Sequence, residues 1–160
     1  MFDGPEIANA LVSLGVTHVV WLPDSALGPW ETALETSTQL SLVRVCREGE
    51  AWTLAAGLYL GGKSPVVVIQ NTGLFESGDA LRNVLFDMQL PLFSIIGYRS
   101  YLVPNATDTA KLFTEAILQA WNISPVLLDT PDKLPLLSSH YLSCQQQSQP
   151  GVVLIAEGRM

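Results

Sequence analysis

The sequence predicts an α/β fold: a doubly wound, three-layer α/β/α sandwich built on a six-stranded parallel sheet. Six short apolar runs, at 17–22, 40–45, 65–70, 92–96, 126–128 and 152–156, are the first sign. β-branched residues dominate several of them, and Gly, Pro, Asp or Asn bounds most. Segments of helical period lie between the runs, so strand and helix alternate throughout. The runs are also too continuous for strands with one wet face. That is the mark of a parallel sheet covered by helices on both sides.

In chain order, Ile7, Ala8, Leu11 and Leu14 give a first apolar helix face, and Gly15 supplies its stop. The run at 17–22 leads to Asp24 and Ser25, either of which can cap a helix over 26–34. After the second run, Leu54, Ala55 and Leu58 set the packing face of a helix that ends at Gly61-Gly62. Beyond the third, Leu81, Val84, Leu85 and Met88 predict a helix that stops before Pro91. Thr109 is the capping candidate for a helix whose apolar face is Leu112, Ala116, Ile117 and Ala120. The stretch 132–147 is the last helix, with Pro135 in its first turn, where proline is tolerated. The polar segment at 143–149 is a frayed helix end or a loop. No repeat or linker interrupts the pattern, so 1–160 is expected to be one domain.

Composition narrows the function classes. Of the 160 residues, 48% are hydrophobic and only 14% charged, which leaves apolar surface to be covered and makes self-association an expectation. The net charge of −7, with eight scattered Lys and Arg, argues against nucleic acid or an anionic membrane as the main partner. Cys46 and Cys144 make no disulfide framework, and neither has metal-ligand spacing to a histidine. No metal ligands are expected on the chain. The opening MFDGPE lacks the basic segment of a secretory leader, and no apolar run is long enough to span a bilayer. A cytoplasmic setting is expected.

Residues able to carry chemistry gather where the predicted strands end, the edge at which open α/β sheets bind ligands. Four segments stand there: Trp21-Leu22-Pro23-Asp24-Ser25-Ala26-Leu27, Arg47-Glu48-Gly49-Glu50-Ala51, Gln70-Asn71-Thr72-Gly73-Leu74 and Ile95-Ile96-Gly97-Tyr98-Arg99. Each also has a plain structural explanation. Glu48 sits at a helix N-terminus, where the macrodipole stabilises a carboxylate. Asn71 and Thr72 suit a strand-to-helix turn as caps, as do Asp24 and Ser25. Arg99 suits a solvated surface. His18 and His140 have no acidic or cysteine companions nearby in sequence and are read as structural. Trp21, Trp30, Trp52 and Trp121 are read as core or interface residues.

Taken in order, the four segments resemble the pyrimidine-binding domain of thiamine-diphosphate-dependent decarboxylases, in the branch acting on phosphonopyruvate and sulfopyruvate. The first resembles its V-P-D-S-x-L turn and the second its E-x-x-A motif. The third resembles its Q-N-[ST]-G-L loop and the fourth its I-I-G-W-R strand end. The resemblance implies the thiamine-diphosphate-binding fold, with strand order 2-1-3-4-6-5. It implies that Glu48 contacts the cofactor's aminopyrimidine as the catalytic proton partner. Glu48 is preferred over Glu50 by the E-x-x-A register. Gln70, Asn71, Thr72 and Gly73 would form a cofactor-binding loop, and Asp24, Ser25 and Arg99 would bind a small 2-oxo acid substrate. In such enzymes the cofactor accepts the electron pair left behind as carbon dioxide departs.

The chain departs from the family pattern after Leu74. Phe75-Glu76 and Asp79 stand where the family commonly has Gly-Asn and a later Asn, and extra acidic groups there disfavour an anionic substrate. The Gly-Asp-Gly and Asn that hold the diphosphate and its Mg2+ have no counterpart; Gly78-Asp79-Ala80 is the nearest imitation. The resemblance thus implies an alpha-type subunit of a hetero-oligomeric decarboxylase, with a partner subunit supplying the diphosphate and Mg2+ ligands. Two other readings stay open from the residues. One is a non-catalytic assembly or regulatory subunit of the same fold. The other is an unrelated small-ligand-binding α/β domain.

Overall fold

The computed structural model describes residues 2–158. Its strands are β1 (His18–Trp21), β2 (Ser41–Arg44), β3 (Pro65–Gln70), β4 (Phe93–Tyr98), β5 (Val126–Leu128) and β6 (Gly151–Ala156). They form one sheet in the order β2-β1-β3-β4-β6-β5, with every neighbouring pair parallel. This is the order implied by the family resemblance. All residues of β3, β4 and β6 are buried, which is why their sequences run apolar without alternation. Edge strand β2 is half exposed and ends in Arg44, whose Nε donates to Glu31 at 2.7 Å.

Two helical layers cover the sheet. Helices α1 (Gly4–Ser13), α2 (Glu31–Thr36) and α7 (Leu134–Gln147) pack Ile7, Leu11, Leu34, Leu137 and Tyr141 onto one face. Helices α3 (Glu48–Leu60), α4 (Asn71–Glu76), α5 (Gly78–Arg82) and α6 (Thr109–Ala120) pack Ala51, Trp52, Leu74, Leu81 and Leu118 onto the other. Because β1 sits between β2 and β3, the winding direction reverses between β1 and β3. The chain segments leaving those two strands open a crevice at the sheet's C-terminal edge.

Three helix faces differ from the periodicity reading. In α3 the buried face is Ala51, Trp52, Ala55 and Ala56, while Leu54 is 37% exposed. Trp52 turns inward because its Nε1 donates to buried Ser77 Oγ at 3.0 Å. In α6 the buried face is Ala110, Thr114 and Leu118, and Leu112 is 61% exposed. Its cap is Asp108, whose Oδ1 accepts from Ala110 N at 3.0 Å, one residue before the expected Thr109. Apolar periodicity overlooked this face because its centre is polar: Thr114 Oγ1 donates to Ala110 O at 2.6 Å. The helix expected around Leu81 to Met88 passes from α5 into a π turn at Asn83–Asp87, which leaves Met88 exposed. The segment expected to be helical over 26–34 instead forms a 3-10 turn, Gly28–Trp30, before α2 begins.

Candidate active site

The N-terminus of α3 gathers three carboxylates with different tasks. Glu50 turns back to cap the helix, its Oε2 accepting from Cys46 N at 3.0 Å and Arg47 N at 3.2 Å. Glu76 reaches across from α4. Its Oε2 accepts from Gly49 N at 2.9 Å, and its Oε1 accepts from Arg47 Nε at 3.0 Å and Nη2 at 2.7 Å. The Gly49 N–H and the Arg47 guanidinium hold the Glu76 carboxyl below its ordinary pKa. Glu76 is therefore a neutralised anchor for α3 and α4 rather than a loose negative charge. Asp79 points away as well, exposed and paired with Arg82 at 3.0 Å. Glu48 is left over, half-buried, and takes no hydrogen bond among the described residues.

What holds Glu48 is Gly73. A Cβ on Gly73 would stand 2.6 Å from Glu48 Oε1 and 2.7 Å from its Cδ, closer than real Cβ atoms approach. The missing side chain is the seat for the glutamate. Gly73 lies in α4, so Asn71, Thr72 and Gly73 are the first turn of a helix and not a loop. The helix starts directly after β3 because Asn71 is pulled inward. It is fully buried, and its Nδ2 donates to Thr114 Oγ1 at 2.9 Å, while its Oδ1 is buried with no partner. Thr72 Oγ1 donates to Gln70 Oε1 at 3.0 Å. Neither Asn71 nor Thr72 caps α4, whose N-cap position is Gln70.

A second cluster lies one strand over. Asp24 Oδ1 accepts from Ala26 N at 2.6 Å and Leu27 N at 2.8 Å, so it does cap the turn after β1. Its Oδ2 is buried with no hydrogen-bond partner. Ser25 is exposed on the same turn. Facing Asp24 is Glu157, the residue after β6, only 1% exposed, with the Gln70 amide the side chain that draws on its carboxyl as a hydrogen-bond donor. Gly97 in β4 makes the space: a Cβ there would overlap Glu157 Oε1 and stand 3.0 Å from Asp24 Oδ2. Burial, and then the charge of Asp24, push the Glu157 carboxyl up to about 8, against an opposite pull from Gln70 and Arg99.

Arg99 is not a solvated surface cation. Its Nε donates to Asp108 Oδ2 at 2.7 Å and its Nη2 to Asp108 Oδ1 at 3.0 Å, a two-pronged ion pair. Asp108 also accepts from Ser100 Oγ at 2.9 Å. The guanidinium above all holds the Asp108 carboxyl down at about 2. Arg99 borders a cavity of about 540 Å3 whose other walls include Thr72, Phe75, Ala110, Phe113 and Ile117.

The structure thus joins Glu48 to Gly73, Gly73 through the first turn of α4 to Thr72 and Gln70, and Gln70 to the Asp24–Glu157 cluster beside Arg99. Comparison with known proteins agrees with the pattern. The chain is 30% identical to phosphonopyruvate decarboxylase of Streptomyces hygroscopicus over 144 residues, covering 84% of this chain and 34% of that protein. It is 29% identical to sulfopyruvate decarboxylase subunit alpha of Methanocaldococcus jannaschii over 142 residues, covering 85% of this chain and 83% of that subunit. Against sulfopyruvate decarboxylase of Methanosarcina acetivorans it is 26% identical, with 71% of this chain and 30% of the relative covered. By sequence, the chain is similar to sulfopyruvate and phosphonopyruvate decarboxylases. It spans about a third of the length of the two full-length decarboxylases of this type, and most of the alpha subunit. No protein-family model matches it.

Two residues at the edge were missed by sequence reasoning. Glu157 had one available signal, an acidic residue immediately after an apolar strand. Asp108 had another, since Asp leads the N-cap preferences and precedes Thr109 directly. Among the described residues no helix is long and apolar enough to cross a membrane.

Proposed function

We propose that the chain is the alpha-type, aminopyrimidine-binding subunit of a two-subunit thiamine-diphosphate-dependent 2-oxo acid decarboxylase. The carrying observation is the Glu48–Gly73 seat at the crevice edge, in a chain whose similarity covers most of a sulfopyruvate decarboxylase alpha subunit. The residues fit the cofactor's pyrimidine end. Glu48 offers an unengaged carboxylate, and Asn71 Oδ1 is a buried acceptor still lacking a donor. When bound, thiamine diphosphate supplies the electron sink that lets carbon dioxide leave. Glu48 would hold the aminopyrimidine through its carboxyl group and would serve there as the proton partner. Gln70 and Thr72, already bonded to each other, orient the ring's polar edge. Asp24 and Ser25 on the β1 turn and Arg99 after β4 face the substrate, with Asp108 fixing the plane of the guanidinium.

The diphosphate and Mg2+ are held by a partner subunit carrying Gly-Asp-Gly and Asn, and the chain works in the cytoplasm. On its own the chain is expected to bind thiamine diphosphate weakly, because it would grip the pyrimidine end alone. Calorimetry showing micromolar binding without a partner would refute the divided site.

The test is C2 proton exchange on cofactor bound to the reconstituted complex, a step that precedes substrate. Glu48→Gln should slow it by on the order of 100- to 10,000-fold, since glutamine keeps the size but cannot exchange the proton. Glu50→Gln should keep exchange near wild type and lose only part of the α3 cap. Unchanged exchange in Glu48→Gln would remove the assignment.

A further inference from the structure

We propose that Asp24 and Glu157 form a carboxyl pair holding one proton between them, a proton-storing site built into the sheet edge behind the substrate turn. The geometry points to it. Asp24 Oδ2 and Glu157 Oε1 converge on the space that Gly97 leaves by lacking a side chain. Both oxygens are buried without a well-aligned hydrogen bond, and the one side-chain donor that acts on the Glu157 carboxyl is the Gln70 amide. Two ionised carboxylates so placed would repel each other in a site closed to water, whereas one proton between them gives the two facing oxygens a donor.

The surroundings favour a single negative charge. Asp24 reaches in from the turn after β1, with Oδ1 held by two backbone N–H groups. Gln70 faces Glu157 from β3 and is neutral. Arg99, following β4, is the nearby cation, and Asp108 at the start of α6 already neutralises it. The elevated pKa of Glu157, about 8, fits this setting. Its burial leaves Glu157 no path of its own to a ligand. It acts through Asp24, as a positioning residue.

The pair exists or fails independently of the function proposed above, but its use rests on that reading. Decarboxylation of a 2-oxo acid to an aldehyde breaks the bond to the carboxylate, releases carbon dioxide and forms a C–H bond, so each turnover consumes one proton. A carboxyl pair that stays half-protonated at neutral pH is suited to return it through Asp24.

An NMR pH titration of the purified chain, with carbon-13 in its Asp and Glu carboxyls, tests the pair directly. One glutamate carboxyl should titrate with a midpoint near 8, and that signal should vanish in Glu157→Gln. Asp24→Asn keeps the Oδ1 acceptor for the turn and removes the neighbouring charge, so the midpoint should fall toward the ordinary range. Glutamates that all titrate below about 6 would overturn the pair, as would a midpoint unmoved by Asp24→Asn.

Stability against pH gives a second readout. A folded-state pKa raised from 4.5 to about 8 gives stability that is complete below 4.5 and lost as pH rises toward 8. Glu157→Gln should flatten that decline, and an unchanged slope would count against the pair. Should Glu157→Gln fail to fold, the Asp24→Asn titration still decides. A titrating pair in a chain inactive with its partner would keep the proton site and sink the decarboxylase reading. Ordinary titration in an active complex would do the reverse.

Discussion

At the residue scale, two glycines define where carboxylates can be. Gly73 seats Glu48, and Gly97 seats Glu157 against Asp24. Gly73 has no left-handed backbone angle, so alanine would suit the helix, and the three atoms nearest its Cβ would all belong to the glutamate, which would have to move. Gly73→Ala is therefore expected to leave thermal unfolding close to wild type. C2 proton exchange in the complex should nevertheless fall by on the order of 100-fold or more, as in Glu48→Gln. A Gly73→Ala complex with normal exchange would show that the close approach is packing without function. Glu76 makes the complementary point. Its formal charge suggested a site hostile to anions, but Arg47 and the Gly49 N–H take it up. That neutralisation comes from the pairing, which the residue type alone does not reveal.

At the element scale, α6 depends on Asp108, which caps the helix, fixes Arg99 and accepts from Ser100. Asp108→Ala is expected to cost about 1–3 kcal/mol, because it removes the cap and leaves the half-buried guanidinium without its partner. Chemical denaturation would measure the loss, and a change under about 0.5 kcal/mol would contradict the role. The sign of the pH effect follows from a folded-state pKa depressed from 3.8 to about 2. The stabilisation is present above about 4 and fades as pH falls through 2, so wild type and Asp108→Ala should converge in acid. The first turn of α4 is bound in a similar way, through Asn71 to Thr114 on α6. Thr114→Val would leave the Asn71 amide as a second buried orphan and should destabilise by about 1–3 kcal/mol.

At the scale of the whole molecule, the surface beside the proposed site is unusually apolar. Leu112 and Phe113 on α6 are 61% and 56% exposed, and Phe113 walls the cavity that Arg99 borders. Such a patch next to a half-site is expected to be covered in the assembly. The isolated chain should self-associate, and Leu112→Ser with Phe113→Ser should shift it toward monomer while leaving thermal unfolding nearly unchanged. Sedimentation velocity over a range of concentrations checks this. A wild type that stays monomeric at the highest of them would remove the expectation.

The architecture was legible in the sequence because its signal is local. Continuous apolar runs such as 65–70 and 152–156 mark strands buried on both faces, and the helical segments between them force parallel crossovers. The motif residues Glu48, Gln70 and Arg99 were legible too, since each follows or ends a strand. Helix faces were less so. Trp52 and Thr114 turn inward for hydrogen bonds to Ser77 and Asn71, partners 25 and 43 residues away, and apolar periodicity cannot anticipate a polar contact at that range. The Asp24–Glu157 pair lay furthest out of reach. Its members are far apart in sequence and meet only because β1 and β6 flank β3 and β4 in one parallel sheet. Local sequence signals were enough for the fold and for the sheet edge at which the motif residues gather. Which carboxylates are neutralised, which is left available and which must share a proton emerged only once the chain was folded, because charge and burial are properties of neighbours in space.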